Sequence, residues 1–99
     1  MIDIIWEYSV PAENVAEFER HYSSRGTWVG FFLKADEYHG TLLLRDAENP
    51  GRYVTIDRWD SFETYQAFCQ AHEAEYRRID ALCANLTLNE RRIGLFEVV

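Results

Sequence analysis

In the run IDIIWEYS, residues 2 to 9, apolar and polar positions alternate. Ile2, Ile4, Trp6 and Tyr8 share one face and Asp3, Ile5, Glu7 and Ser9 the other, which predicts a β-strand. The period then lengthens. Across VPAENVAEFERHYSS the apolar Val15, Phe18 and Tyr22 recur at helical spacing, with Pro11 near the first turn and Gly26 soon after the end. Glu17 and Arg20 stand one turn apart on that helix, where they can pair. TWVGFFLKADE carries Trp28, Phe31 and Phe32 at helical spacing, but Gly30 interrupts it and the piece is short, so it reads as a single helical turn or an ordered apolar lid. YHGTLLLRD and RYVTIDRW are β-rich runs joined through AENPG, whose Asn-Pro-Gly turn signal predicts a hairpin. From Ser61 to about Asn85 the spacing is helical again, with a break near Gln70. Its apolar stripes are Phe62, Tyr65 and Cys69, then Tyr76, Ile79 and Cys83. RRIGLFEVV closes the chain as a last strand.

The resulting order, strand, helix, strand, strand, helix, strand, is that of an α+β ferredoxin-like βαββαβ sandwich, a four-stranded antiparallel sheet with two helices on one face. No repeat, linker or low-complexity tract divides the chain, so residues 1–99 are read as a single domain. The sheet face away from the helices should be polar if water covers it. Instead Leu42, Leu43 and Leu44 run together, Ile4 stands beside Ile5 and Val98 beside Val99, so apolar groups point both ways. A second copy related by a two-fold axis is the expected cover, making the chain a homodimer through its sheet face.

Composition agrees with one modest core: the 99 residues are 47% hydrophobic and 15% aromatic. The formal charge of -7, with ten Lys and Arg spread along the chain, argues against a nucleic-acid partner. MIDIIWEYSV has two acids and no basic stretch, unlike a signal or membrane-spanning segment, so no membrane association and a cytoplasmic location are expected. Cys69 and Cys83 match neither a CxxC motif nor a zinc pair and are read as buried, reduced thiols. HEAEY, at 72 to 76, lacks the second histidine of a zinc-protease helix. No metal and no cofactor are expected.

GRYVTIDRWDSFETYQAF has Trp59 closing a strand, Ser61 two residues on, and Phe62 and Tyr65 on the helix that follows. In this it resembles the antibiotic biosynthesis monooxygenase family of dimeric α+β barrels. GTLLLRD before it and LTLNERRIGLF after it are similar in kind, so the likeness covers most of the chain. The family includes cofactor-independent oxygenases of polyketide anthrones and quinols as well as haem-degrading enzymes, and the resemblance implies a pocket in each subunit between helices and sheet. For the haem-degrading branch it implies an Asn on the first strand, a Trp on the helix and a His beyond it. Those places hold Glu7 and Tyr8, Phe68, and Arg77 and Arg78, so haem degradation is not expected. For the anthrone-oxygenating branch it implies an Asn before the strand Trp, that Trp, and a helix Tyr. Trp59 and Tyr65 match, whereas the Asn position holds Thr55.

The residues expected to face a substrate are Trp59, Tyr65, Trp28, Phe32 and Phe68. Trp59 offers a rigid face and one N–H donor, or else packs the strand–helix junction. Tyr65 can orient a substrate hydroxyl or stand as a half-buried ring with a wet tip. Trp28, Phe31 and Phe32 form either an aromatic flap or the core under a long connection. His39 or His72 is the candidate catalytic base, since an imidazole of pKa about 6.5 suits removal of a phenolic or anthrone proton; as surface histidines both have a bland reading too. Asp60 or Ser61 caps the helix, with Glu63 completing the box. Asp57 and Arg58 point to opposite faces and each needs a partner, Arg45 being one candidate. The function expected is cofactor-independent monooxygenation of a phenolic or polycyclic aromatic small molecule, an anthrone or quinol. A non-catalytic ligand-binding or structural dimer of the same fold is the alternative, and an isomerase of cyclic lactones a third reading.

Overall fold

Alternation along β1 (Ile2–Ser9) gives this strand two faces to satisfy, and it lies inside a four-stranded antiparallel sheet of order β2-β3-β1-β4. The computed structural model describes residues 1–99. After β1, a 3-10 turn at Ala12–Asn14 leads into α1 (Val15–Tyr22) and α2 (Thr27–Phe32). β2 (Tyr38–Arg45) and β3 (Arg52–Trp59) form the expected hairpin; α3 (Phe62–Ala71), α4 (Glu73–Cys83) and β4 (Asn89–Glu97) complete the chain. The break expected near Gln70 falls at His72, whose φ of -119° and ψ of 36° are not helical. No helix is long and apolar enough to cross a membrane.

The register fixes what faces the helices. Ile2, Ile4, Trp6 and Tyr8 lie opposite Trp59, Asp57, Thr55 and Tyr53 of β3. Trp59, Asp57 and Thr55 in turn lie opposite Tyr38, Thr41 and Leu43 of β2. Phe18 and Trp59 are completely buried there, and Phe18 stacks on Tyr22 with ring centroids 4.2 Å apart. The ambiguous segment after Gly26 is the short helix α2, and it is core: Val29, Phe31 and Phe32 are buried while Gly30 faces out. Gly30 therefore interrupts the sequence pattern without interrupting the helix.

Local pairings follow mostly as read. Arg20 meets Glu17 at 2.6 Å. The helix cap differs in one member. Ser61 Oγ accepts from the Thr64 N–H at 3.1 Å, and Thr64 Oγ1 accepts from the Ser61 N–H at 3.2 Å. Thr64, not Glu63, closes the box because it is the third helical residue after the cap.

Two glycines separate cleanly by geometry. Gly51 in the hairpin turn has φ of +87°, and a Cβ there would stand 2.6 Å from the Val10 carbonyl oxygen; at Gly30 it would meet nothing within 4 Å. Gly51→Ala is expected to lower the unfolding free energy by more than about 1 kcal/mol, and Gly30→Ala to raise it by about 0.5–1 kcal/mol. Equilibrium denaturation of the two variants checks both signs.

Candidate functional site

Packing of flat rings over the sheet leaves an open hollow of about 60 Å³ between its inner face and the helices. Its floor is the inner register of three strands: Trp6 and Tyr8 of β1, Thr41 of β2, Thr55 and Asp57 of β3. Rings from four helices wall it, Tyr22 from α1, Trp28 and Phe32 from α2, Tyr65 from α3 and Tyr76 from α4. Asp80 of α4 and Glu90 of β4, both exposed, complete the lining.

Asp57 is the one ionisable acid on the floor. Thr41 Oγ1 donates to its Oδ1 at 2.5 Å, and Tyr38 OH lies 2.5 Å from the same Thr41 oxygen. With the Thr41 proton committed to the carboxylate, Tyr38 is the donor to Thr41, so the three form a hydroxyl relay ending on Asp57. No cation comes within ion-pair distance. Arg58, its neighbour in sequence, faces the other way and holds Asp3 through two bonds of 2.9 and 3.1 Å. Arg45, read as a candidate partner, pairs instead with Glu19 at 3.5 Å. Burial therefore dominates and lifts the Asp57 carboxyl to about 6, against the lowering by Thr41. A carboxyl near 6 is poised to accept a proton at neutral pH.

The phenols around it move the other way from reactivity. Burial, above all, raises the hydroxyls of Tyr8 and Tyr65, and that of Tyr38 to about 12, so they remain donors. Tyr8 OH is engaged with Thr55 Oγ1 at 3.3 Å. Trp28 also lines the hollow, and its buried Nε1 has no acceptor in the protein.

Of the residues singled out by sequence, Tyr65, Trp28 and Phe32 line this hollow, and the others do not. Trp59 is fully buried beneath it, 5.4 Å from the Tyr65 ring and 5.5 Å from that of Phe32. Phe68 packs in the core against Phe31 at 4.9 Å. His39 is exposed, 2.6 Å from Asp60. His72, at the α3–α4 break, packs on Phe68 at 4.5 Å and on Phe31 at 6.2 Å. Sequence reasoning passed over Asp57 as half of a structural pair. Its signal was the period-two placement between the inward Thr55 and Trp59. Tyr76 was read as a core ring, and Asp80 and Glu90 carried no signal, because they meet the hollow only through the fold.

Residues 1–78 match the profile of a family described as antibiotic biosynthesis monooxygenase. No curated protein matches the chain in sequence. Among solved structures, SnoaB, a cofactor-independent oxygenase from Streptomyces nogalater, is similar with a TM-score of 0.72 at 19% identity, covering 99% of this chain and 92% of its own. The haem degrader MhuD from Mycobacterium tuberculosis has a TM-score of 0.69 at 23% identity, covering 100% and 96%. A Nitrosomonas europaea protein ascribed to the antibiotic biosynthesis monooxygenases has a TM-score of 0.77 at 15% identity, covering 100% and 99%. At these identities the likeness is one of fold. The hollow offers a haem neither an axial ligand nor a counter-charge: no histidine lines it, and its charged groups are acids that would repel propionates.

The raised Asp57 has a signature in stability. Its folded pKa of about 6 stands above the ordinary carboxyl value of 3.8, so the folded chain binds more protons between these limits. Stability should fall as pH rises from about 4 to 6 and level off above. Asp57→Asn is expected to remove that slope and to be more stable than the parent at pH 7.5 by about 1–3 kcal/mol. Urea midpoints at pH 4.5 and 7.5 check it; a parent that gains stability across that window would contradict the assignment.

Proposed function

Because the chain belongs to the antibiotic biosynthesis monooxygenase family, we propose that it is a cofactor-independent monooxygenase of a phenolic aromatic small molecule, of the quinol or anthrone type, acting as a homodimer. The observation that carries this reading is Asp57, a carboxyl raised to about 6 on the floor of an aromatic-walled hollow with no cation beside it. Asp57 takes the proton that His39 or His72 takes in the sequence-based reading. The substrate becomes an electron-rich anion, which gives electrons to dioxygen directly. A peroxide on the ring carbon then collapses, leaving one oxygen atom in the product and releasing the other as water. The protein's part is to remove the proton, to orient the ring and to keep the anion away from bulk water. Tyr65, held protonated by burial, supplies a hydroxyl for orientation.

The alternative, a ligand-binding dimer without turnover, draws support from Thr55. Its hydroxyl is bonded to Tyr8, and no amide stands there to hold an oxyanion.

The dimer reading rests on the outer sheet face. Leu42 is 58% exposed, Leu44 48% and Phe96 48%, beside Val54, Ile56 and Ile5 on the same side of the register. Ion pairs frame this patch: Arg58 with Asp3, and Arg52 and Arg91 with Glu7 at 2.6 and 2.9 Å. An apolar field with a charged border fits a self-complementary interface.

Two measurements test the proposal. Oxygen uptake by metal-stripped protein over a panel of phenols, quinols and anthrones should fall about 100-fold or more in Asp57→Asn and about tenfold in Tyr65→Phe. His39→Gln and His72→Gln should stay within about twofold; loss in either histidine variant with Asp57→Asn active would reverse the assignment of the base. Sedimentation velocity should give a dimer for the parent and a folded monomer for Leu42→Glu, since a residue exposed in the single chain tolerates a charge that an interface does not.

A further inference from the structure

The lining of the hollow is charged in one direction only. Asp57, Asp80 and Glu90 are its ionisable acids, and no Lys, Arg or His joins them. Elsewhere the chain matches many of its carboxylates with cations: Asp3 with Arg58, Glu7 with Arg52 and Arg91, Glu75 with Lys34 and Arg78. The three acids of the hollow have no cation within ion-pair distance, although they come from three different elements, β3, α4 and β4. They also act on common neighbours. The Tyr8 hydroxyl feels the charge of both Asp57 and Glu90, and that of Tyr76 feels both Asp80 and Glu90. Glu90 is itself held up by burial and by Asp80.

The second feature is independent of charge. Tyr22, Trp28 and Tyr76 meet at the same hollow, with Trp28 centred 5.2 Å from Tyr76 and 6.4 Å from Tyr22. The faces of such rings are electronegative, and a group of them in a partly desolvated wall attracts a cation. Aromatic walls with acids and no base form a site that favours positive charge on both counts. An anionic or strongly acidic ligand would meet repulsion at the floor and at the rim.

We propose that the hollow binds a small aromatic amine, a phenol-type ring whose protonated ammonium sits against the rings of Trp28 and Tyr76 and beside the carboxylates of Asp80 and Glu90. The inference rests on the reading of the hollow as the substrate site and names the class of substrate. It also bears on the chemistry, since an ammonium at the rim offsets the acidic surroundings in which Asp57 must leave a substrate anion.

The test uses three phenols of matched size that differ in charge: tyramine, 4-ethylphenol and 3-(4-hydroxyphenyl)propionate. Binding to the full-length protein is followed by calorimetry and tryptophan fluorescence at pH 7.5 and low salt, with oxygen uptake recorded in parallel. Tyramine is expected to bind about tenfold more tightly than 4-ethylphenol and the propionate most weakly. The double variant Asp80→Asn, Glu90→Gln, checked for an unchanged fold by circular dichroism, should reduce that preference to about twofold or less. Asp80→Asn alone, should the double variant fail to fold, is expected to reduce it about threefold. Equal affinities, a preference for the propionate, no binding of any of the three at millimolar concentration, or a preference that survives the variants would each overturn the cation site. Preferential binding of tyramine together with no oxygen uptake over the quinol and anthrone panel would sustain the cation site and remove the oxygenase reading. Oxygen uptake with neutral phenols and no amine preference would do the reverse.

Discussion

The indole of Trp59 is enclosed by rings from three other elements. Tyr38 of β2 is centred 5.2 Å away, Tyr65 of α3 5.4 Å, Phe32 of α2 5.5 Å and Phe68 of α3 5.7 Å. The residue is completely buried and ends β3, so sheet, α2 and α3 are tied together at one point. Aromatic pairs in such tilted and edge-on arrangements contribute roughly 0.5–1.5 kcal/mol each beyond the area they bury. The cap at Ser61, two residues on, then sets the direction in which α3 leaves. Tyr65 and Phe32 owe their places at the hollow to this contact, although Trp59 does not reach the hollow itself.

The same alternation that sends Trp59 inward sends Asp57 inward, where an apolar side chain would serve the core better. Arg58 and Arg45 are held elsewhere by Asp3 and Glu19, and only Thr41 answers the carboxylate directly. Desolvation without a counter-charge is costly, and the cost appears as a pKa near 6. A chain selected for stability alone would place Val or Leu there. Departures from the inside-outside rule that also lie in a cavity are where binding and proton transfer are concentrated.

Several elements were legible from the sequence because their signals are local. β1 ends where its alternation ends, the hairpin follows from Asn-Pro-Gly, and the helical break near Gln70 proves to be His72. α2 was ambiguous because Gly30 interrupts the apolar spacing; the structure resolves it by turning Gly30 outward and burying Val29, Phe31 and Phe32. The site was less legible, for a different physical reason. Its lining comes from eight elements, so neighbours in the hollow can be more than eighty residues apart, as Trp6 and Glu90 are. Histidines drew attention because their free pKa suits proton transfer, whereas a carboxyl enters that range only through burial, as that of Asp57 does. Nothing in the order of residues says that Arg45 reaches Glu19 and leaves Asp57 alone.

The strand order leaves β2 and β4 with one side each unpaired, and the two are finished differently. β4 starts with Asn89, Glu90, Arg91 and Arg92, and its register slips where Ile93 has no residue opposite in β1. Charge and a bulge together bend that margin away from any strand that might be laid along it. β2 runs in regular register from Thr41 to Arg45, with Leu42 and Leu44 uncovered in the single chain. Its row of free amide and carbonyl groups is thus bordered by apolar side chains. Heating or crowded expression would bring two molecules together edge to edge along β2, and with β4 closed to a further strand the pairing stops at two.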